Sequence, residues 1–336
     1  MILVTGGTGL LGAHLLLALC QKNDAIVATY RRPSSLESIA DFFRGKEPNH
    51  DILFKKIIWK KATLSDLSAL ENAFDGITKV YHCAAKVSFA KYHDEALMNA
   101  NQQGTANIVN IALQKGVQKM VYVSSIAAID SENPNEPITE DSTWNYEKRH
   151  TGYALSKHAA EMEVWRGTQE GLTATIINPG VILGGHFWKR SSGVFWQRTN
   201  RKLIFCPSGN LGVVGVSDVV RVLVMCMEKP YENERYILVN QNVSYQELFK
   251  KIVATLHKKP LFVLLPEWLL KAAILLGNAL AQVFFQRPFF SKALVNTLCS
   301  KRVYDGSKIT RETDFEYSSL DDEIRAISSD FLNHQQ

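Results

Sequence analysis

Tyr153 and Lys157 are four residues apart, a spacing that on a helix puts them on one face with the ammonium able to lie near the phenol. A neighbouring cation favours the phenolate and lowers a pKa that is ordinarily about 10. The spacing therefore predicts Tyr153 as an acid/base usable near neutral pH. Ser125, at the end of an apolar run, is placed to hydrogen-bond a substrate oxygen on which charge develops. The candidate catalytic set is Ser125, Tyr153 and Lys157. Each member also has a duller reading, because Tyr-x-x-x-Lys occurs on ordinary amphipathic helices and a serine after a strand commonly caps a turn. His82 falls inside a buried strand pattern and reads as a core histidine. His158, Glu161 and Glu163 follow the lysine and are assigned no chemistry. Cys83 lies near the expected floor of the site without a partner base, which argues against thiol chemistry.

The run Val4-Thr5-Gly6-Gly7-Thr8-Gly9-Leu10-Leu11-Gly12 places glycines directly after a strand and at the start of a helix. Gly6 permits a tight turn, Gly9 lets backbone approach a pyrophosphate, and Gly12 lets the helix pack closely on the sheet. With Thr8, Leu10 and Leu11 they offer free N–H groups where the helix dipole favours an anion. The second strand exits through Tyr30-Arg31-Arg32-Pro33, where an NAD-binding chain normally carries a carboxylate. Guanidinium groups there suit a 2′-phosphate, so NADP(H) is the expected cofactor, with Arg31 the principal contact and Arg32 the second. If the arginines are merely solvated, NAD(H) is the alternative.

Short apolar runs alternate with helical patterns through the first 240 residues. That rhythm predicts a doubly wound, parallel α/β sheet of the Rossmann type. Strands are expected at residues 2–5, 25–30, 54–60, 79–83, 119–124, 173–178 and 235–239. Helices are expected at 10–21, 66–74, 99–115 and 153–168. Beyond Val181 the pattern is irregular until a strand-helix unit resumes near Val213. Residues 1–180 with 213–240 are read as the dinucleotide-binding domain. Residues 181–212 with 241–330 are read as a substrate lobe over the C-terminal strand edges. The segment 261–290 is the most apolar, but its uncharged runs are too short to span a bilayer. Glu267, Lys271, Asn278 and Gln282 would form one polar stripe on a helix packed into the lobe or against another subunit. Contact of 266–290 with a membrane surface is the alternative.

Composition sets outer bounds. A chain of 336 residues with 46% hydrophobic and 21% charged residues is ordinary for a globular protein. The opening Met1-Ile2-Leu3-Val4 has no leader-like pattern, and five widely spaced cysteines suggest neither a disulfide framework nor a zinc site, so a reducing cytoplasm is expected. The formal charge of +5 is scattered along the chain, which argues against nucleic acid and suits an anionic small ligand.

Together these residues resemble a known family. The run Thr5 to Gly12, the strand Val80-Tyr81-His82-Cys83-Ala84-Ala85, Asn101-Gln102-Gln103-Gly104-Thr105-Ala106-Asn107, Ser124-Ser125 and Tyr153-Ala154-Leu155-Ser156-Lys157 stand in the order of the extended short-chain dehydrogenase/reductases of the NAD-dependent epimerase/dehydratase type. The chain looks most like the dihydroflavonol-4-reductase-like and 3β-hydroxysteroid-dehydrogenase-like enzymes, through Ala28-Thr29-Tyr30-Arg31 and Glu140-Asp141-Ser142-Thr143-Trp144. The resemblance implies that Lys157 holds the nicotinamide ribose and that Ala84, Ala85, Lys86, Asn101, Val123, Pro179, Gly180, Val181 and Ile182 line the cofactor channel. Thr63-Leu64 stands where the family usually has an aspartate beside the adenine, which implies a weaker contact there. A homodimer through the helices that contain Asn99 and Tyr153 is implied as well.

Three functions follow. The first is reduction of a ketone or aldehyde on an apolar small molecule, or the reverse oxidation, with Val87, Ser88, Phe89, Trp144 and Asn178 as candidate substrate contacts and the apolar stretch from Trp268 to Phe290 nearby. The second is a nucleotide-sugar epimerase or dehydratase with tightly bound NAD, for which Asn178-Pro179 and Arg198, Arg201 and Lys202 would meet a pyrophosphate. The third is a non-catalytic dinucleotide sensor, disfavoured because tyrosine and lysine are both retained.

Overall fold

Apolar runs without polar alternation suit strands covered on both faces, as a parallel sheet between helix layers requires. The computed structural model describes residues 1–22, 25–88, 94–133, 136–283 and 292–335. Its strands are β1 (Ile2–Thr5), β2 (Ile26–Tyr30), β3 (Ile57–Lys61), β4 (Lys79–His82), β5 (Lys119–Val123), β6 (Ala174–Pro179), β7 (Val181–Leu183), β8 (Leu203–Pro207), β9 (Asn210–Gly215), β10 (Glu234–Leu238), β11 (Gln241–Ser244) and β12 (Leu261–Leu265). Seven of them form one parallel sheet in the order β3-β2-β1-β4-β5-β6-β10. The chain is a doubly wound α/β protein, and each run singled out in the sequence is one of these strands.

Alternate side chains of β1, β2, β4, β5 and β6 feed two separate cores. Val4, Ala28, Tyr81, Val121 and Ile177 meet helices Leu10–Lys22, Ser34–Lys46 and Val216–Glu228 on one face. Leu3, Val27, Val80, Met120 and Ile176 meet helices Leu67–Ala73, Gly104–Gln114 and Gly152–Gln169 on the other. Strand order reverses between β1 and β4, the switch point at which open α/β sheets bind ligands beyond the carboxyl ends of their strands.

Local details differ from the sequence reading where side chains decide. Phe54 does not begin β3; it lies in the helix His50–Lys55, with its ring 5.6 Å from Phe43 and 5.8 Å from Trp59. The expected helix 99–115 starts as a π-helical turn, Asn99–Gln103, before regular α-helix from Gly104. Asp66 and Thr151 cap their helices by accepting from Ala69 N and Ala154 N, at 3.1 and 3.2 Å.

The irregular second half builds two smaller sheets. Strands β7, β9 and β11 form one, β8 and β12 a parallel pair. A third core, with Leu183, Trp188, Trp196, Leu248 and Phe331, ties the first to helices Tyr245–Thr255 and Leu320–Gln335, while Ile204 and Cys206 of β8 pack with Phe249 and Val253 of helix Tyr245–Thr255 in a further cluster. The apolar segment contains a strand, β12, followed by helix Glu267–Val283, in which Glu267 and Lys271 pair at 2.5 Å. That helix is not packed away as expected, since Trp268, Leu275 and Leu276 stand exposed. The side chains of Asn278 and Gln282 lie outside those described. Among the described residues no helix is long and apolar enough to cross a membrane.

Candidate active site

β1 ends in the glycine loop. Gly6 takes φ +72°, and a Cβ there would stand 2.7 Å from the backbone of Ala84, just beyond β4. A Cβ on Gly12 would lie 2.2 Å from Gly6 O, so helix Leu10–Lys22 could not seat on the loop with any side chain at that position. Gly9 is different, because its Cβ would meet nothing of the protein nearer than Gly6 O at 3.4 Å. Protein packing does not require glycine at position 9, whereas close approach of a pyrophosphate to the N–H groups of Thr8 to Leu11 does. The cradle therefore fits the dinucleotide the sequence implies. Arg31 and Arg32, at the exit of β2, are exposed and enter no ion pair among the described residues. Thr63 Oγ1 bonds Ser65 Oγ at 3.1 Å, while Leu64 packs under Gly104 and its carbonyl accepts from Asn107 Nδ2 at 2.7 Å.

The ends of β5 and β6 and the first turns of helix Gly152–Gln169 bring the other half together. Tyr153 and Ser125 are joined by a side-chain hydrogen bond. The Ser125 Oγ also accepts from Ala127 N at 3.1 Å, so it caps a short 3-10 turn, Ile126–Ala128, and contacts the phenol at once. Lys157 is fully buried, and its Nζ donates to Tyr122 OH at 2.9 Å and Val123 O at 2.8 Å. Burial pulls its amine down to about 7, opposed by Glu161 one turn along the helix and by Cys83. The expected lowering of the Tyr153 pKa does not occur. Burial pushes the phenol up, the Ser125 hydrogen bond only partly offsets this, and the lysine amine is engaged with Tyr122 and Val123 instead.

Four residues that spacing did not reveal set this geometry. Tyr122 lies beneath Lys157, with Nζ 4.6 Å from its ring centroid. Glu161, read as chemically idle, is buried between Arg235 at 2.9 Å and Asn178 at 2.8 Å and bears electrostatically on Lys157. Alternation along β5 and the i,i+4 relation to Lys157 were the available signals. Arg190 spans from the second lobe to donate to Thr8 O at 3.0 Å, its guanidinium 4.7 Å from the ring of Phe187. No periodicity in the irregular lobe marks it. Ser156 accepts from Asn101 Nδ2 at 2.9 Å and so helps hold the segment over the cleft.

Several expected contacts are engaged within the protein. Asn178 is fully buried; its Nδ2 donates to Ser125 O at 2.9 Å and to Glu161, which supports Ser125, while its Oδ1 has no hydrogen-bond partner among the described residues. Asn101 is likewise buried, its Oδ1 accepting from Lys86 N at 2.7 Å and its Nδ2 donating to Lys86 O at 2.9 Å, which fixes the segment after β4. Trp144 is stacked on His150 and His158 at 4.0 and 4.1 Å, which commits its ring faces to the protein. Val87 is exposed and Ser88 half-buried at the rim, and Phe89 lies outside the described residues. Val123 and Pro179 are buried, with Gly180, Val181 and Ile182 partly accessible beside them. His82 is a core histidine as read, bonded to Thr5 Oγ1 and Thr105 Oγ1 at 2.7 and 3.0 Å and pushed down to about 3, chiefly by burial. Burial pushes Cys83 up to about 12, which silences its thiol.

A sequence profile of the NAD dependent epimerase/dehydratase family matches residues 2–240. The chain belongs to that family. It is an NAD(P)-dependent oxidoreductase of the short-chain dehydrogenase/reductase superfamily. It is 28% identical to the sterol demethylase protein B of Methylococcus capsulatus, over 92% of either chain. It is 26% identical to the anthocyanidin reductase of Arabidopsis thaliana, over 73% of this chain and 77% of that one. The crystal structure of gox2253 superposes with a TM-score of 0.81 at 25% identity, covering 99% of this chain and 98% of that one. The UDP-glucose 4-epimerase of Thermotoga maritima, at 20% identity, shares the fold with a TM-score of 0.77 over 100% of this chain and 99% of its own.

Proposed function

We propose that this enzyme reduces a ketone or aldehyde on an apolar small molecule with NADPH, and that Tyr153 is the proton donor. The observation that carries the reading is the Tyr153–Ser125 hydrogen bond at the end of β5, made by a phenol that burial keeps protonated. A held proton suits donation to a carbonyl oxygen. Ser125 fixes that phenol and offers its own hydroxyl to the same oxygen as charge develops on it. Lys157, anchored by Tyr122 and Val123, places a buried amine at the floor of the cleft, where it would hold the ribose of the cofactor. Bound nicotinamide supplies the hydride. Thr8, Gly9, Leu10 and Leu11 would carry the pyrophosphate, and Arg31 with Arg32 the 2′-phosphate, with Arg190 closing over the loop from the other lobe.

Names among the relatives support an apolar, ring-bearing substrate, since they include an anthocyanidin reductase and a 3β-hydroxysteroid dehydrogenase/isomerase. Exposed Val87 at the rim agrees with it. For the assembly, we infer a dimer through helices Gly104–Gln114 and Gly152–Gln169, where Leu155 and Met162, seven residues apart, stand exposed on one face.

The test is consumption of NADPH with a panel of apolar ketones and aldehydes, run for the wild type and Tyr153→Phe. The expected result is one NADPH oxidised per carbonyl reduced, with turnover in the variant down by about 10²–10⁴ and NADPH affinity nearly unchanged. Conversion of UDP-glucose with no net change in cofactor would overturn the reading in favour of an epimerase, and binding of NADPH without any turnover would favour a sensor.

A further inference from the structure

Exposed large apolar side chains gather on one side of the second lobe. In β8 the inward Ile204 and Cys206 are buried while Leu203 and Phe205 stand out, and in the paired β12 Leu261 is the most exposed apolar side chain of that strand. The register is parallel, Leu203 opposite Leu261 and Phe205 opposite Val263, so these four share the outer face. Helix Glu267–Val283 follows directly, with Trp268, Leu275 and Leu276 exposed. Large apolar side chains exposed on a strand pair and on the helix that follows it mark an interaction surface.

Charge identifies what covers it. Residues 171–217 and 248–304 together contain fourteen lysines and arginines and a single carboxylate, Glu267, which pairs with Lys271. Lys251 and Arg302 pair with Asp321 and Asp130, and Arg190 reaches the glycine loop, but the fold sets two basic pairs side by side. Parallel pairing sets Arg201-Lys202, which precede β8, beside Lys258-Lys259, which precede β12, and Leu261 N donates to Lys202 O at 2.9 Å. Arg201, Lys202 and Lys259 are exposed and enter no ion pair among the described residues. Two copies meeting face to face would oppose like charges across an apolar patch, which disfavours a second chain as the occupant.

We propose that the outer face of β8 and β12, with the start of helix Glu267–Val283, docks on an anionic lipid bilayer. Leu203, Phe205, Leu261 and Trp268 enter the interfacial layer, and Arg201, Lys202 and Lys259 meet the headgroups. The helix lies along the surface, since among the described residues no helix is long and apolar enough to cross.

The experiment is co-sedimentation of the full chain with phosphatidylcholine vesicles and with vesicles containing one part in four phosphatidylglycerol, at low and high salt. Light scattering reports oligomeric state in parallel. The proposal expects at least ~10-fold stronger binding to the anionic vesicles, weakened by salt. It also expects the surface variant K202E/K259E to lose most of that gain, and F205S/L261S to lose binding at every salt concentration. Both variants should melt and bind nucleotide as the wild type does. Equal binding to neutral and anionic vesicles, no binding to either, wild-type binding by both variants, or a dimer that F205S/L261S dissociates would each overturn it.

Discussion

Tyr153 and Lys157 stand on adjoining turns of one helix, yet their protons are set by different neighbours. The lysine spends its hydrogen bonds on Tyr122 and Val123, and the phenol, bonded to Ser125, is pushed above its ordinary value near 10 by desolvation. Alcohol oxidation needs the phenolate, so in that direction the rate should still be climbing at pH 9. A plateau reached below pH 9 in a profile of kcat would contradict this. At the other end of the cleft, Arg31→Ala removes charge-assisted bonds worth about 1.5–3 kcal/mol, and should weaken NADPH about 10–100-fold while leaving NADH almost unaffected. Fluorescence titration with both nucleotides checks it. The identities of Ser125, Tyr153 and Lys157 were legible because a four-residue spacing and a strand end are local. The direction of the phenol's shift was not, because desolvation is contributed by residues distant in sequence. The protein partners of Asn101, Asn178 and Trp144 were hidden for the same reason, since Lys86 and Ser156, Ser125 and Glu161, and His150 and His158 come near them only in the folded chain.

Among elements, the inner strands of the sheet were readable because strands covered on both faces are largely apolar, while the edge strand β3 ends in exposed Lys60 and Lys61. Helices Ser34–Lys46 and His50–Lys55 left a weaker trace, since only a few of their residues are buried. β12 was hidden because Leu261 to Leu265 runs straight into the apolar helix after Pro266, and a short apolar run fits strand and helix alike. The turn between β1 and its helix yields a sharper prediction. Gly12→Ala forces a Cβ against Gly6 O and should cost about 3 kcal/mol or more, visible as a large fall in Tm. Gly9→Ala has room and should leave Tm within about 2 °C, yet bind NADPH at least ~10-fold more weakly. If both variants melt alike, the two glycines do not have these separate duties.

At the scale of the molecule, the C-terminal helix Leu320–Gln335 closes the second lobe and carries a pH-dependent element. Glu323, bonded by Ser217 and near buried Asp218, is pushed up to about 7, mainly by burial. Between about 4.5 and 7 the folded chain then binds more protons at this site than the unfolded one, so stability falls as pH rises through that window. Glu323→Gln should flatten the decline, with the wild type losing about 3 °C more in Tm than the variant between pH 5 and 8. Equal losses would remove Glu323 as the cause. The lobe as a whole was the least legible part, since its two small sheets are built from short strands set between loops and helices with no repeating βαβ rhythm.

The strand order also dictates a schedule for synthesis. β1, β2 and β3 pair using only the first 61 residues, and β1 is the strand on which β4 will later add. The half that bears the glycine cradle therefore has all its strands outside the ribosome while residues 119–238, which build the Tyr153 half, are still to be translated. Its inner edge waits for β4 with unpaired backbone, and the nascent chain is most open to aggregation during that interval.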